Sequence, residues 1–111
     1  GAGIQLLEDL PDDIQKIGIL SNDDQNLIHL WNSGKNKRHV TFFPSAVTTD
    51  ELFDSDIGYV VFAGSFHGSY LTLKDQIIND ARFEVVSEKD FQTKNKRGVE
   101  KWLLIRINKS L

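Results

Sequence analysis

Cysteine is missing from this chain of 111 residues, and its absence excludes several classes of chemistry. Without it there is no disulfide framework, no thiolate nucleophile and no cysteine-ligated zinc site. No apolar run approaches the length needed to span a bilayer, and the first residues lack the basic-then-apolar pattern of a signal peptide. The composition, with 40% hydrophobic and 26% charged residues, is typical of one globular domain.

The start of the chain differs in pattern from the rest. Residues 1–15 form a lead-in segment in which apolar residues are scattered among acids, and Pro11 interrupts any helix there. The sequence Gly1-Ala2-Gly3 looks like a cloning remnant, so we expect a domain excised from a longer protein. Residues 16–111 are expected to form that single domain.

The most regular pattern lies between Asp56 and Phe91. An apolar run is followed there by helical spacing and then by a second β-branched run, which predicts a strand over 57–63, a helix, and a strand over 83–86. Strands joined by a crossover helix lie parallel and are covered on both faces, so they read as unbroken apolar runs. The predicted core residues are Val60, Val61, Phe62, Ile77, Val85 and Val86.

Two further strands are predicted upstream of this unit. The apolar run 16–20 is the first strand, and 40–43 is the second. Ser21, followed three residues later by Asp24, has the form of a capping box, which predicts a helix directly after the first strand. A helix should therefore connect the two strands.

Two segments are less regular. Residues 48–51 fit either the cap of a single helical turn that contains Leu52 and Phe53 or an irregular segment. Residues 99–107 fit either a helix or a fifth strand, and we favour the strand because both alternating sets of side chains are partly apolar. Those sets are Trp102, Leu104 and Arg106 on one face and Leu103, Ile105 and Ile107 on the other. In either case Trp102 should anchor this segment on the domain.

These elements predict an α/β fold of three layers, in which a four-stranded parallel sheet is flanked by helices and followed by a C-terminal extension. The third strand contains the pair Val60-Val61, the next helix contains Thr72-Leu73-Lys74, and Val85-Val86-Ser87 and later Phe91 follow it. With these motifs in this order the chain resembles a BRCT domain. That family has paired valines in its third strand, Thr-x-Lys at the start of its next helix, and a similar fourth strand before the aromatic residue that opens its last helix. The sequence departs from the family at Asn22, where phosphate-binding members have Gly, and at Phe91, where the family has Trp.

The resemblance implies a protein–protein interaction module that binds a phosphoserine or phosphothreonine peptide, in the nucleus, in DNA damage response, DNA repair, replication or chromatin. A bound phosphate needs converging donors and a cation. Ser21 would donate its hydroxyl and Asn22 its backbone amide, both at the start of the first helix, where anions are favoured. Lys74 would supply the charge, with Thr72 fixing the helical turn from which it projects.

Each of these residues also has a simpler structural interpretation. Ser21 and Thr72 can act as helix caps, which stabilise by about 0.5–2 kcal/mol without any ligand. Lys74 can be an ordinary solvated lysine whose stem lies along apolar surface. Asp23 and Asp24 would repel an anion held beside them. A phosphate-independent interaction domain is therefore the alternative.

Two other functions are consistent with the sequence. Its end is basic, and Lys94, Lys96, Arg97 and Lys101 would form a nucleic-acid-binding surface that contacts DNA with a steep salt dependence. Residues 20–27 also resemble the acidic pair of a receiver domain, but Val61 would then occupy the phosphoacceptor position, so that domain would be degenerate. No metal-ligand spacing or nucleophile motif is present, and we expect neither an enzyme nor a cofactor.

Overall fold

The computed structural model describes residues 10–11, 13–21, 39–44, 46–63, 69–92 and 99–110. Within them the chain forms five strands and two α-helices. In chain order they are β1 (Lys16–Ser21), β2 (His39–Phe42), α1 (Thr49–Asp54), β3 (Tyr59–Ala63), α2 (Ser69–Ile78), β4 (Phe83–Gln92) and β5 (Val99–Ile107). Neither helix in this part of the chain is long and apolar enough to cross a membrane. The helix predicted after Ser21 falls outside the described residues.

All five strands belong to one mixed sheet with the order β2-β1-β3-β5-β4. β1 pairs in parallel with β2 and β3, whereas β5 runs antiparallel to both β3 and β4. The α/β class is confirmed, but the prediction of a four-stranded parallel sheet with a C-terminal extension is wrong. Residues 99–107 form a strand, as favoured. This strand pairs with β4, as consecutive antiparallel strands commonly do, and with β3 on its other side, so it lies inside the sheet.

The central strands alternate between two hydrophobic clusters, one on each face of the sheet. On the helix face, Val60, Phe62 and Ile105 are fully buried with Ile77 of α2. On the second face, Val61 and Leu104 are fully buried with Ile17 and Ile19. Each such side chain contributes about 1.5–3 kcal/mol through burial. The predicted burial of Val60, Val61, Phe62 and Ile77 is confirmed, and the two clusters hold the sheet from both sides.

Trp102 of β5 belongs to the cluster on the second face and is only 5% exposed, which confirms it as an anchor. Leu10 and Ile14 of the lead-in segment pack in the same cluster, and Leu10 is buried. At least part of the segment 1–15 therefore contributes to the core of the domain.

β4 does not occupy the buried position that its sequence suggests. Val85 and Val86 are each 41% exposed, so their predicted burial is wrong. β4 is the last strand in the sheet order, and its register with β5 shifts between Val85 and Ser87, which makes Val86 the extra residue of a bulge. Phe91, predicted to open a helix, instead lies within β4. An edge strand has a neighbouring strand on one side only. Its apolar side chains are therefore partly exposed to solvent.

α1 begins with a capping box at Thr48, so this segment is helical, which was one of its two predicted forms. The Glu51 amide donates to the Thr48 hydroxyl oxygen at 3.0 Å, and the Thr48 amide donates to a Glu51 carboxylate oxygen at 3.1 Å. At the other end of α1, the Lys109 ammonium donates to the carbonyl oxygens of Phe53 at 2.6 Å and Ser55 at 2.7 Å. A cation is favoured at the negative end of a helix. The residues after β5 therefore hold α1 in place.

Candidate ligand-binding end of the sheet

The order of the strands marks one end of the sheet as a binding position. The chain passes from β1 to β2 on one side of β1 and later returns to β3 on its other side. In open α/β sheets, ligands bind outside the carboxyl ends of the strands at the point where the strand order reverses. Here β1 and β3 end together, with Ser21 beside Ala63 in the register. We call this the carboxyl end of the sheet.

A tyrosine fixes the first turn of α2 at the carboxyl end. The Tyr70 hydroxyl donates to the carbonyl oxygen of Phe43 at 2.9 Å, and Phe43 directly follows β2. The Phe43 amide in turn donates to the carbonyl oxygen of Ile19 in β1 at 2.9 Å. Both aromatic rings are partly buried against the helix-face cluster. The start of α2 is thus connected through Phe43 to β1, near the ends of the parallel strands.

A glycine in β1 makes room for this arrangement. A Cβ atom at Gly18 would lie 2.6 Å from Cε2 of Phe43 and 2.7 Å from Cγ1 of Val60, closer than carbon atoms can approach. The Phe43 ring therefore lies directly against the β1 backbone, which requires a residue without a side chain at position 18. Sequence reasoning missed Phe43, Tyr70 and Gly18 as a group, since the only signals were an aromatic residue at a helix start and a glycine inside a strand.

Lys74 and Thr72 lie on different sides of α2. The helix begins at Ser69, so Thr72 is inside it and does not open it, in contrast to the Thr-x-Lys motif. Residues two apart on a helix do not face each other, whereas residues four apart do, and Lys74 is four residues after Tyr70. Thr72 is exposed, whereas Lys74 is half-buried beside Leu73, which is buried. Of the two, only Lys74 lies on the side of α2 that carries Tyr70.

The other residues predicted to bind phosphate or nucleic acid are described in part. For Ser21 and Lys101 the structure gives the backbone position alone, at the end of β1 and within β5. Asn22, Asp23, Asp24, Lys94, Lys96 and Arg97 lie outside the described residues. Ser21 and the first turn of α2 thus lie at the same end of the sheet. The binding of one phosphate by Ser21, Asn22, Thr72 and Lys74 together stays a prediction. Val61, at the receiver's phosphoacceptor position, is fully buried in β3.

The tightest charged cluster lies away from this end, where β4 begins. The Arg82 guanidinium bonds Asp80 at 2.7 Å and Asp50 at 2.9 Å, and it lies 5.0 Å from the centre of the Phe53 ring. Hydrogen bonding to Arg82 lowers the pKa of Asp80, and bonding to Asp80 and Asp50 raises the pKa of Arg82. With two carboxylates already bound, Arg82 ties α1 to the turn before β4 and is a structural residue.

The carboxyl end carries no described group of metal ligands. Among the residues that the structure describes, no three histidine or acidic side chains come close enough together to hold a metal ion. The described polar groups that could donate to a ligand near this end are backbone N–H groups, because the proton of the Tyr70 hydroxyl is already donated to the Phe43 carbonyl oxygen. Comparison with known proteins adds no assignment: no family model matches the chain, and neither a curated protein nor a solved structure matches it.

Proposed function

We propose that this domain is a protein–protein interaction module that binds a phosphorylated serine or threonine of a partner at the carboxyl end of its sheet. The observation that carries the proposal is the parallel pairing of β1 with β3, which sets Ser21 beside Ala63 where both strands end. The segment that follows each strand then starts from the same end of the sheet. This is the position at which open α/β sheets hold their ligands.

The chemistry near this end suits an anion. The first turn of α2 has backbone N–H groups without helical acceptors, and the helix dipole makes that end positive. The Tyr70–Phe43 hydrogen bond anchors this turn, so the donors would not have to be ordered by the ligand. Ser21 and Asn22 would add donors from the end of β1, as the resemblance to a BRCT domain implies.

Lys74 would supply the cation that a phosphate requires. Its half-buried position on the Tyr70 side of α2 restricts its side chain more than that of an exposed lysine, which lowers the entropy lost on binding. Thr72 is exposed on another side of the helix, so its proposed part is limited to the helical turn itself. The charge of Lys74 should therefore dominate the affinity, and the hydroxyl of Thr72 should contribute little.

The biological setting follows from the resemblance alone. A BRCT-like module would act as a binding domain without catalysis or a cofactor, in the nucleus, on partners in DNA damage response, replication or chromatin. Phosphorylation of the partner would then switch the interaction on, because it adds about 1.5–2 negative charges and three acceptor oxygens at one side chain.

The proposal is tested with pairs of peptides that differ only by a phosphate on serine or threonine, measured by fluorescence anisotropy. We expect at least one phosphopeptide to bind more tightly than its unphosphorylated form. Lys74→Met should weaken that binding by about ten- to a hundredfold, because a hydrogen bond to a charged group contributes about 1.5–3 kcal/mol. Gln76→Met is the matched control, since Gln76 is exposed on the same helix.

Three results would change the assignment. If no phosphopeptide binds better than its unphosphorylated form, the domain is a phosphate-independent interaction module. If Lys74→Met and Gln76→Met bind a phosphopeptide equally well, the phosphate site is elsewhere. A DNA duplex whose affinity falls steeply with salt would instead favour the nucleic-acid surface that includes Lys101. Ser21→Ala is informative only when its stability is measured alongside, because Ser21 is also predicted to cap a helix.

A further inference from the structure

One side of α2 combines exposed apolar side chains with an exposed acid. Leu71 and Ile78 are 42% and 48% exposed, and Asp75 is exposed between them. Residues three, four or seven positions apart lie on one side of a helix, so these three side chains form a continuous row. We call Leu71, Asp75 and Ile78 the α2 row. Single exposed apolar residues are normal, whereas a row in which two of them flank a charge has a defined pattern that a partner can match.

Asp75 is placed unfavourably for its own helix. α2 spans Ser69–Ile78, so Asp75 lies in its last turn, where the helix dipole is negative and disfavours a carboxylate. None of the ion pairs among the described residues includes Asp75, whereas Glu84, for example, bonds Arg106. Residues that break a local rule without compensation are often those that serve a function. The Asp75 carboxylate is therefore available to a basic side chain of a partner.

The α2 row starts at the proposed phosphate site. Leu71 is in the first turn of α2, which lies at the carboxyl end of the sheet, and the row runs from there to Ile78. Leu71 and Asp75 are four residues apart, a rise of about 6 Å along the helix. In an extended peptide, residues two positions apart point to the same side and are about 6.6 Å apart. A peptide held by its phosphate at the start of α2 thus sets alternate side chains over Leu71 and then Asp75.

We infer that the bound phosphopeptide extends along α2, with an apolar residue two positions from the phosphoresidue and a basic residue four positions from it. The apolar side chain covers Leu71, the basic head group pairs with Asp75, and the stem of the basic side chain lies against Ile78. This inference rests on the proposed function and names the partner that the site selects. The negative phosphate and the basic residue of that partner match the positive start of α2 and the acid farther along it.

The test measures fluorescence anisotropy of labelled phosphoserine peptides with a glycine–serine background. One peptide has leucine two positions and lysine four positions after the phosphoserine, and a second has them before it, which covers both chain directions. In the peptide that binds more tightly, replacing lysine by glutamate should weaken binding about fivefold, because an exposed ion pair is lost and two like charges meet. Replacing leucine by serine should also weaken binding about fivefold, through lost apolar contact.

Variants of the full chain locate the two contacts. Asp75→Lys should bind the glutamate peptide more tightly than the lysine peptide, the reverse of the wild-type preference. Asp54→Lys makes the same change in net charge at an exposed position of α1 and should keep the wild-type preference. Leu71→Ala should remove the preference for leucine over serine, whereas Thr72→Ala, at an exposed position on another side of α2, should retain it. Each result is a ratio measured on one protein, so a difference in stability between variants does not produce it.

The outcomes separate this inference from the proposed function. If phosphopeptides bind more tightly than unphosphorylated ones but neither lysine nor leucine affects affinity, the extension along α2 is wrong and phosphate binding stands. If no phosphopeptide binds better than its unphosphorylated form, both are wrong. A preference for lysine that survives in Asp75→Lys would place the basic residue on another surface and would also overturn the inference.

Discussion

Replacing Gly18 by alanine should destabilise the domain although alanine is the smallest side chain that can be introduced. The new Cβ would lie 2.6 Å from Cε2 and 3.1 Å from Cδ2 of Phe43, and 2.7 Å from Cγ1 of Val60. Val60 is fully buried, so a shift of its side chain would displace the core residues packed around it. Overpacking of a core costs about 1–3 kcal/mol. Removal of a glycine recovers about 0.4–1 kcal/mol by restricting the unfolded chain.

The net loss for Gly18→Ala should thus be about 1–2 kcal/mol, measured as a lower midpoint in urea unfolding with an unchanged slope. Gly58→Ala is the matched control, because a Cβ there would meet no atom within 4 Å. It should leave stability unchanged or raise it slightly. Phe43→Leu combined with Gly18→Ala should recover part of the loss in a double-mutant cycle. A Gly18→Ala protein as stable as Gly58→Ala would refute the close packing of Phe43 on β1.

Three further predictions concern stability. Lys109→Met should lower the free energy of unfolding by about 0.5–1.5 kcal/mol, because it removes the hydrogen bonds of an exposed lysine to the carbonyl oxygens at the end of α1, and an unchanged melting temperature would contradict this contact. Folding lowers the pKa of Asp80, so its carboxylate stabilises the folded state above the pKa of the unfolded chain and loses this effect as pH falls through the pKa of the folded chain. The free energy of unfolding should therefore decline below about pH 4. The decline should be smaller in Asp80→Asn if the bond to Arg82 is its cause. Val61→Thr should cost about 1–3 kcal/mol through burial of a hydroxyl, whereas Val85→Thr should stay within about 0.5 kcal/mol, and equal losses in chemical denaturation would mean that β4 is not an edge strand.

The parts of the fold that the sequence predicted are those set by local patterns. The run around Val60 and Val61 reads as a buried strand because it is apolar on both faces, and β3 is indeed covered on both. Helical spacing placed Ile77 on the buried side of α2, and the alternation of Trp102 and Leu104 with Leu103 predicted a strand with two different faces. The type of each of these elements, and the side of it that is buried, can be predicted from residues close together in the sequence.

The position of β5 could not be predicted in the same way. Its residues are apolar on both faces, which suits a central strand, yet nothing in the sequence specifies that it inserts between β3 and β4. That choice depends on pairing between residues far apart in the chain, such as Val60 with Ile105. Val85 and Val86 were misjudged for the same reason, because an apolar pair in the sequence does not reveal whether its strand lies at an edge.

The candidate site was predicted only in outline. The end of the first apolar run at Ser21 and the helical pattern containing Lys74 were both visible, so two parts of the binding position could be proposed. The hydrogen bond from Tyr70 to Phe43 joins residues 27 positions apart in the chain. The close packing of Phe43 and Val60 against Gly18 arises only once β1 and β3 are paired. These contacts form only in the folded chain.

The proposed site is tested most directly by recording amide chemical shifts of the ¹⁵N-labelled chain during titration with a matched pair of serine and phosphoserine peptides. We expect the phosphopeptide alone to shift the amides of Ser21, Ala63, Tyr70 and Lys74, because these residues lie at or follow the carboxyl ends of β1 and β3. The amides of Val85 and Val86 should not change. Identical shifts with both peptides, or shifts confined to β4, would contradict phosphopeptide binding at the carboxyl end of the sheet.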